Sequence, residues 1–242
     1  MSWKDIFPKE NRYFETDNGI LYNGDCLELL KEFPEDSIDL VLVDPPYLIN
    51  YKTNRRKDKN HSFCTPIQND SNHELISQFI KLSYNLLKTN RAFYCFASWK
   101  TVDFFKQEIE KHYKLKNQII WVKNNWTAGD LKAQYAQQYE IIMYANKGRA
   151  FINGKRYSDV WHCNRVSGKY QVHQNQKPIE LIELIINKHS KENNIVLDSF
   201  LGSGTTAIAC EKLNRRWIGI ELNEEYCEIA KARLSAIETE LF

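Results

Sequence analysis

Leu40-Val41-Leu42-Val43-Asp44-Pro45-Pro46-Tyr47 is the stretch on which the reading of this chain turns. Four apolar residues run into an acid, two prolines and an aromatic ring. A short valine and leucine run ahead of a turn predicts a buried parallel strand. The prolines end it, because each lacks an N–H, has a fixed φ, and pushes the residue before it out of the helical region. Asp44 is therefore expected at the carboxyl end of a strand, where open α/β sheets place their ligands. Pro45 adds a carbonyl that neither ladder nor helix is expected to use, and Tyr47 adds a flat ring. An anionic acceptor, a neutral acceptor and a stacking face suit a planar base carrying an exocyclic amine. The same residues would also serve as a plain rigid turn, so the remainder of the chain has to decide.

A second constellation lies near the other end. Ile195–Leu197 predicts a buried strand ending in Asp198, and Ser199-Phe200-Leu201-Gly202-Ser203-Gly204-Thr205-Thr206 predicts a tight turn into a helix. Trp217–Ile220 predicts the next strand, ending in Glu221. A glycine turn lets a ligand approach the backbone closely, and an acid roughly 20 residues on is placed for ribose hydroxyls. The phosphate-loop ending Gly-Lys-Ser/Thr is missing, and Ala207 stands where a dinucleotide fingerprint has its third glycine. Asp198 would repel a pyrophosphate and attract an ammonium. A ligand with a ribose and an amino acid portion fits better than NAD, and S-adenosylmethionine is such a ligand.

Around and between the two, helical and strand patterns alternate. Gly19–Gly24 reads as a short strand, Cys26–Phe33 as a helix closed by Pro34, His73–Leu87 and Lys100–His112 as helices around a strand at Ala92–Ala97. Leu115–Val122 and Tyr139–Tyr144 read as a strand pair, and helices follow at Pro178–Lys188, Ala207–Leu213 and through the last stretch. Alternation of this kind predicts an α/β fold, a doubly wound and mostly parallel sheet of about seven strands in one domain. Two polar excursions interrupt it. Leu48–Asn72 carries Lys52, Arg55, Arg56, Lys57 and Lys59, and Ala145–Gln176 carries Arg149, Lys155, Arg156, Arg165 and Lys169 among aromatic rings. Basic residues among aromatics can hold phosphates and stack on bases, and they also occur on ordinary solvated surfaces.

Composition narrows the classes. The 242 residues carry a net charge of only +2, so any nucleic acid must be met by local patches. The six cysteines form no Cys-x-x-Cys pair, which argues against a zinc ribbon and a disulfide framework and fits the reduced thiols of a cytoplasm. No His/Cys cluster offers a metal site. No apolar run reaches the ~18 to 20 residues of a membrane span, and the first residues lack the apolar core of a signal peptide.

Asp44-Pro45-Pro46-Tyr47, Phe200-Leu201-Gly202-Ser203-Gly204, the segment from Gly24 to Leu30, and His173-Gln174-Asn175-Gln176-Lys177-Pro178 together resemble the amino-methylating DNA methyltransferases. With the Asp-Pro-Pro-Tyr strand first and the glycine turn last, the order is similar to the circularly permuted β class, and the likeness runs from about Gly19 to Leu234. It implies a seven-stranded sheet of the class I S-adenosylmethionine-dependent methyltransferase type with one antiparallel strand. It implies S-adenosylmethionine as cofactor and duplex DNA as partner, in a bacterial or phage cytoplasm, with a homodimer and a cognate restriction endonuclease as further partners. Residue by residue, it puts Asp198, Phe200, Gly202, Gly204 and Thr205 along the cofactor's methionine end and Glu221 on its ribose. Asp25 and Cys26 lie by the adenine, and Lys177 and Pro178 begin the segment that closes over the methionine. Asp44 also counts among the cofactor contacts. Asp44, Pro45, Pro46 and Tyr47 take the target base, and the basic residues at 52–57 and 149–169 contact DNA. The His173 segment departs from the commoner His-Pro-Thr-Gln-Lys-Pro form at two positions.

The chemistry follows from the acceptor. A ring-conjugated amine is a poor nucleophile, and hydrogen bonds to the Asp44 carboxylate and the Pro45 carbonyl would draw it toward tetrahedral geometry. Positioning would then supply much of the rate. A base inside a duplex is out of reach, so it must be flipped out, with Tyr47 as its stacking face. Aspartate at the first motif position resembles the adenine enzymes, so N6 of adenine is expected, with N4 of cytosine as the alternative. An RNA or protein methyltransferase, a non-enzymatic nucleic-acid-binding module and a nucleotide-dependent dehydrogenase are the rivals.

Overall fold

The structure, a computed structural model, describes residues 2–49, 69–127, 130–166 and 176–240, the side chains of 238–240 excepted. After a 3-10 turn at Trp3–Ile6 the elements run β1 (Arg12–Glu15), β2 (Gly19–Asn23), α1 (Cys26–Lys31), β3 (Ile38–Val43), α2 (His73–Leu86), β4 (Leu87–Ala97) and α3 (Val102–Glu110). They continue β5 (Lys114–Val122), β6 (Tyr139–Lys147), β7 (Val160–His162), α4 (Ile179–His189), β8 (Ile195–Asp198), α5 (Thr205–Lys212), β9 (Arg216–Glu221) and α6 (Glu224–Glu240). Lys52, Arg55, Arg56, Lys57 and Lys169 lie outside the described residues.

The strands form one sheet in the order β1-β2-β9-β8-β3-β4-β6-β5-β7. The expected seven strands are present as β2 through β5 of that order, and the described residues add one short strand at each edge, making nine. The additions have a local cause. β1 turns back on β2 as an antiparallel hairpin, and β7 is three residues laid parallel on β5. Within the inner seven, β6 alone is reversed, antiparallel to both β4 and β5.

Period-two burial sorts the strand residues to two faces. Val41 and Val43 of β3 join Phe93, Leu197 and Ile218 in a core closed by Leu30, Phe79 and Ile109 of α1, α2 and α3. Leu40 and Leu42 face the other way, with Tyr94, Val196 and Trp217, against Ile182, Ile208 and Ala230 of α4, α5 and α6. A sheet covered on both faces explains the apolar run Leu40–Val43 and the burial of every position of β3, Asp39 included. Asp39 is held by Lys88 and Arg91 and accepts from the Ile195 N–H of β8.

The order of strands positions the acids. β2, β9, β8 and β3 are adjacent and parallel. Asp25 follows β2, Glu221 ends β9, Asp198 ends β8 and Asp44 follows β3, so four carboxylates reach one edge of the sheet from four neighbouring strands.

Candidate active site

One cavity at that edge is lined by Asp25, Cys26, Asp44, Pro45, Pro46, Tyr47, Lys177, Asp198, Phe200, Gly202, Thr205 and Glu221, together with Ser199, Ser203, Thr206, Asn223, Tyr226 and Phe96. Two of the residues expected there stand apart from its walls. Pro178 is the N-cap of α4, and Gly204 is the N-cap of α5, where a Cβ would come within 2.9 Å of the Ala230 Cβ on α6. Gly204, at φ +85°, thus serves the packing of two helices. Gly202, at φ +55°, has nothing within 4 Å of where a Cβ would lie, and it leaves the cavity wall low.

Backbone groups anchor the acids at one end. Glu221 accepts from the N–H of Gly202 at 2.8 Å and of Asn223 at 2.8 Å, one on each oxygen. Asp25 caps α1 by accepting from the Leu27 N–H at 2.7 Å. Asp198 accepts from the Phe200 N–H at 3.1 Å and the Thr206 hydroxyl at 2.6 Å. Burial pushes the Asp198 carboxyl up to about 7 and raises Glu221 as well, and the Cys26 thiol is pushed up to about 12 by the same cause. Asp198 has no ion-pair partner among the described residues, and the buried Ser199 hydroxyl in the same wall has no hydrogen-bond partner among them. An amino acid ammonium beside Asp198 and hydroxyls at Glu221 would meet these groups, so the residues present fit S-adenosylmethionine.

The other end is a compact network around Asp44. The Tyr47 hydroxyl donates to Asp44 Oδ1 at 2.6 Å, and the Lys177 ammonium donates to Asp44 Oδ2 at 2.6 Å. Lys177 also reaches the Tyr47 oxygen at 3.0 Å and Glu140 at 3.2 Å, and Lys123 bonds Glu140 from its other side. Burial raises the Asp44 pKa while Lys177 works against the rise. Glu140 lies well below the usual carboxylate range, at about 2, because Lys177 and Lys123 together outweigh its burial. Glu140 and Lys123 escaped the sequence reading. The available signal was one acid near the start of an apolar strand and one lysine just past the end of another, Trp121 and Glu140 being opposite each other in the β5–β6 ladder.

The expected DNA contacts that are described separate into two groups. The Arg165 N–H donates to Asn124 just past β5, at the carboxyl edge of the sheet that also carries Asp44. Arg149 instead lies beside Asn90, near the start of β4, and the Lys155 carbonyl accepts from Lys188 in the last turn of α4. Arg156 lines a second, smaller cavity with Tyr94, Tyr144 and His189. The imidazole of His189 bonds both tyrosine hydroxyls, and burial lowers it to about 4. Arg149 is at the opposite edge because β6 runs against its neighbours and carries the chain away from Asp44, whereas Arg156 lies on the sheet face at the mid-strand level of Tyr94 and Tyr144. No group able to hold a metal ion occurs among the described residues.

The family model described as DNA methylase, of the N6/N4 methyltransferases, matches residues 38–232. The chain is 30% identical to the type II methyltransferase M2.LlaDCHI of Lactococcus lactis subsp. cremoris, over 92% of this chain and 91% of that one. Its fold superposes on the crystal structure of an M1.HpyAVI–SAM complex with a TM-score of 0.69 and 29% identity, covering 88% of this chain and 98% of the other. The PvuII cytosine-N4-specific DNA methyltransferase gives a TM-score of 0.75 at 20% identity, over 92% and 88% of the two chains, a likeness of fold. Fold and site thus define an S-adenosylmethionine-dependent DNA methyltransferase. Within that class, the chain belongs to the N6/N4 DNA methylase family.

Proposed function

We propose that this enzyme methylates N6 of an adenine flipped out of duplex DNA at a specific sequence, and that Asp44, Pro45, Pro46 and Tyr47 hold that base. The supporting observation is the placement of the Asp44 carboxylate in the same cavity as Asp198 and Glu221. S-adenosylmethionine supplies an activated methyl group on a sulfonium when bound. Asp198 meets its ammonium, Glu221 its ribose, and Asp25 and Cys26 its adenine. The Asp44 carboxylate, its side chain 26% exposed to the cavity, accepts an N–H of the target amine. The Pro45 carbonyl accepts the other. These bonds pull lone-pair density out of the ring and fix the nitrogen for in-line attack. The Tyr47 ring stacks on the base, with its hydroxyl already committed to Asp44.

DNA approaches across the edge that carries the cavity. Arg165 stands there, with the exposed rings of Trp99, Trp126 and Tyr135, which follow β4 and β5. Lys52, Arg55, Arg56, Lys57 and Lys169 belong to the same proposal through their sequence. A second copy of this chain and a cognate restriction endonuclease are proposed as partners, and a bacterial or phage cytoplasm as the compartment, on the family resemblance of the motifs alone. Among the described residues no helix is long and apolar enough to cross a membrane.

The test is methyl transfer from labelled S-adenosylmethionine to duplex DNA and to RNA, by the wild type and by Asp44→Ala. We expect transfer to duplex DNA only. The variant should lose transfer by about a hundredfold to a thousandfold or more, on the scale of a lost electrostatic stabiliser, while cofactor and DNA binding persist. Transfer by Asp44→Ala at the wild-type rate would remove Asp44 from the reaction.

A further inference from the structure

The side chain of Lys177 does a different task from closing over a methionine. An ammonium has three donors and no acceptor. Around Lys177 stand three acceptors, Asp44 Oδ2 at 2.6 Å, the Tyr47 oxygen at 3.0 Å and Glu140 Oε2 at 3.2 Å. Its side chain is only 6% exposed and lies over the rings of Phe96 and Tyr47, with centroids at 4.8 Å and 5.4 Å. Having accepted from Lys177, the Tyr47 hydroxyl has one proton and two carboxylates in reach, and it gives that proton to the nearer, Asp44 Oδ1 at 2.6 Å, rather than to Glu140 Oε2 at 3.2 Å. Both carboxylate oxygens are therefore fixed from behind. Each oxygen retains a second lone-pair site, and that capacity faces the cavity.

The charges close. Asp44 and Glu140 are matched by Lys177 and Lys123, so the cluster is neutral. Lys177 beside Asp44 alone would put a positive charge next to an amine that becomes positive as it attacks. Glu140 offsets that charge, and Lys123 holds Glu140 from the β5 side.

We propose that Lys177, held by Glu140 and Lys123, is a positioning residue for methyl transfer: it sets the plane of the Asp44 carboxylate and keeps it ionised in a buried site, while Glu140 preserves the negative field at the amine. This rests on the amine-methylation reading above. The groups facing Asp44 are Lys177 ahead of α4, Tyr47, Glu140 of β6, Cys95 of β4 and Asp198 of β8. Of these Lys177 is the cation. Without it, burial and the Glu140 carboxylate raise the Asp44 pKa further. Without Glu140, Lys177 acts on Asp44 alone and the pKa falls.

The experiment is kcat against pH on duplex DNA for the wild type, Lys177→Met, Glu140→Gln and the double variant, each first shown to be folded by circular dichroism. In Lys177→Met the acidic limb should move up by about one pH unit or more, and kcat at pH 7 should drop about tenfold or more with KM for DNA nearly unchanged. In Glu140→Gln the limb should move down and kcat should fall. The double variant, neutral again, should lose less than the product of the single losses. If Lys177→Met does not fold, the downward limb of Glu140→Gln decides alone. Unmoved limbs, or losses that multiply in the double variant, overturn the proposal. A wild type that transfers no methyl to DNA overturns instead the reading on which it rests.

Discussion

Burial leaves the Asp198 carboxyl, pushed up to about 7, neutral over much of the acidic range. Its ionised form lacks a cation among the described residues, and under the proposed assignment the cofactor ammonium supplies it. The sign follows. With the folded pKa raised, the carboxyl carries its proton below about pH 7, and the proton competes with the ammonium. Affinity for S-adenosylmethionine should therefore rise with pH up to about 7 and level off above it, falling toward tenfold per unit on the acidic side. Calorimetric titration between pH 5.5 and 8.5, on the order of those bounds, measures this. Asp198→Asn should bind weakly with a flat profile, and a wild-type affinity independent of pH would contradict the assignment. The acids of the site were legible as single residues because each ends a strand or follows one. The partners of Asp44 were not. Lys123 and Glu140 come together only through the β5–β6 register, and Lys177 reaches Asp44 across 133 positions of sequence.

At the scale of elements, the glycine turn before α5 divides into two functions. Gly204→Ala must accept a left-handed φ of +85° and a Cβ at 2.9 Å from Ala230. It should cost about 2 kcal/mol of stability, from about 1 for the backbone and a similar amount for overpacking. Cofactor affinity should be nearly preserved in the folded fraction. Gly202→Ala meets no atom within 4 Å and carries a φ of +55°. It should cost about 1 kcal/mol of stability, yet weaken cofactor binding, because its methyl group enters the cavity. Urea unfolding and calorimetry separate the two, and equal loss of affinity in both variants would refute the division. The pattern Ser199–Thr206 announced a glycine turn between strand and helix, but which glycine faced a ligand depended on α6, whose packing is not written in the turn. The edge strands illustrate the same limit. β1 and β7, with four and three residues, are strands because a neighbour offers a free edge, so their sequences carry little of the signal.

The whole molecule is polarised along its strands. The proposed cofactor and target-base groups and Arg165 gather at one edge, while Arg149 is carried to the other by the reversed β6, Lys155 meets the last turn of α4, and Arg156 lies on the face between. Ladder register fixes the distance: Arg91 pairs with Lys147 and Cys95 with Val43, and Arg149 binds Asn90. Five residues of strand separate those levels, roughly 16 Å at the usual rise. A basic residue that meets a phosphate releases counterions, and its loss lowers the slope of log affinity against log salt by about one. Arg165→Ala should lower the slope by about that amount. Arg149→Ala and Arg156→Ala should leave it unchanged, and a reduced slope in either would place DNA along the far edge as well. The alternation of strands and helices was enough to foresee a doubly wound sheet and its ligand edge. It could not tell which end of the segment 145–166 lies at the sheet edge that carries Asp44, because that depends on the direction of a single strand.

The central claim is that the amine methylated is N6 of adenine in duplex DNA. The most direct measurement is to methylate duplex DNA with the purified enzyme, digest it to nucleosides and separate them by mass spectrometry. The account predicts N6-methyldeoxyadenosine, absent when Asp44 is replaced by alanine. N4-methyldeoxycytidine as the sole product would contradict it.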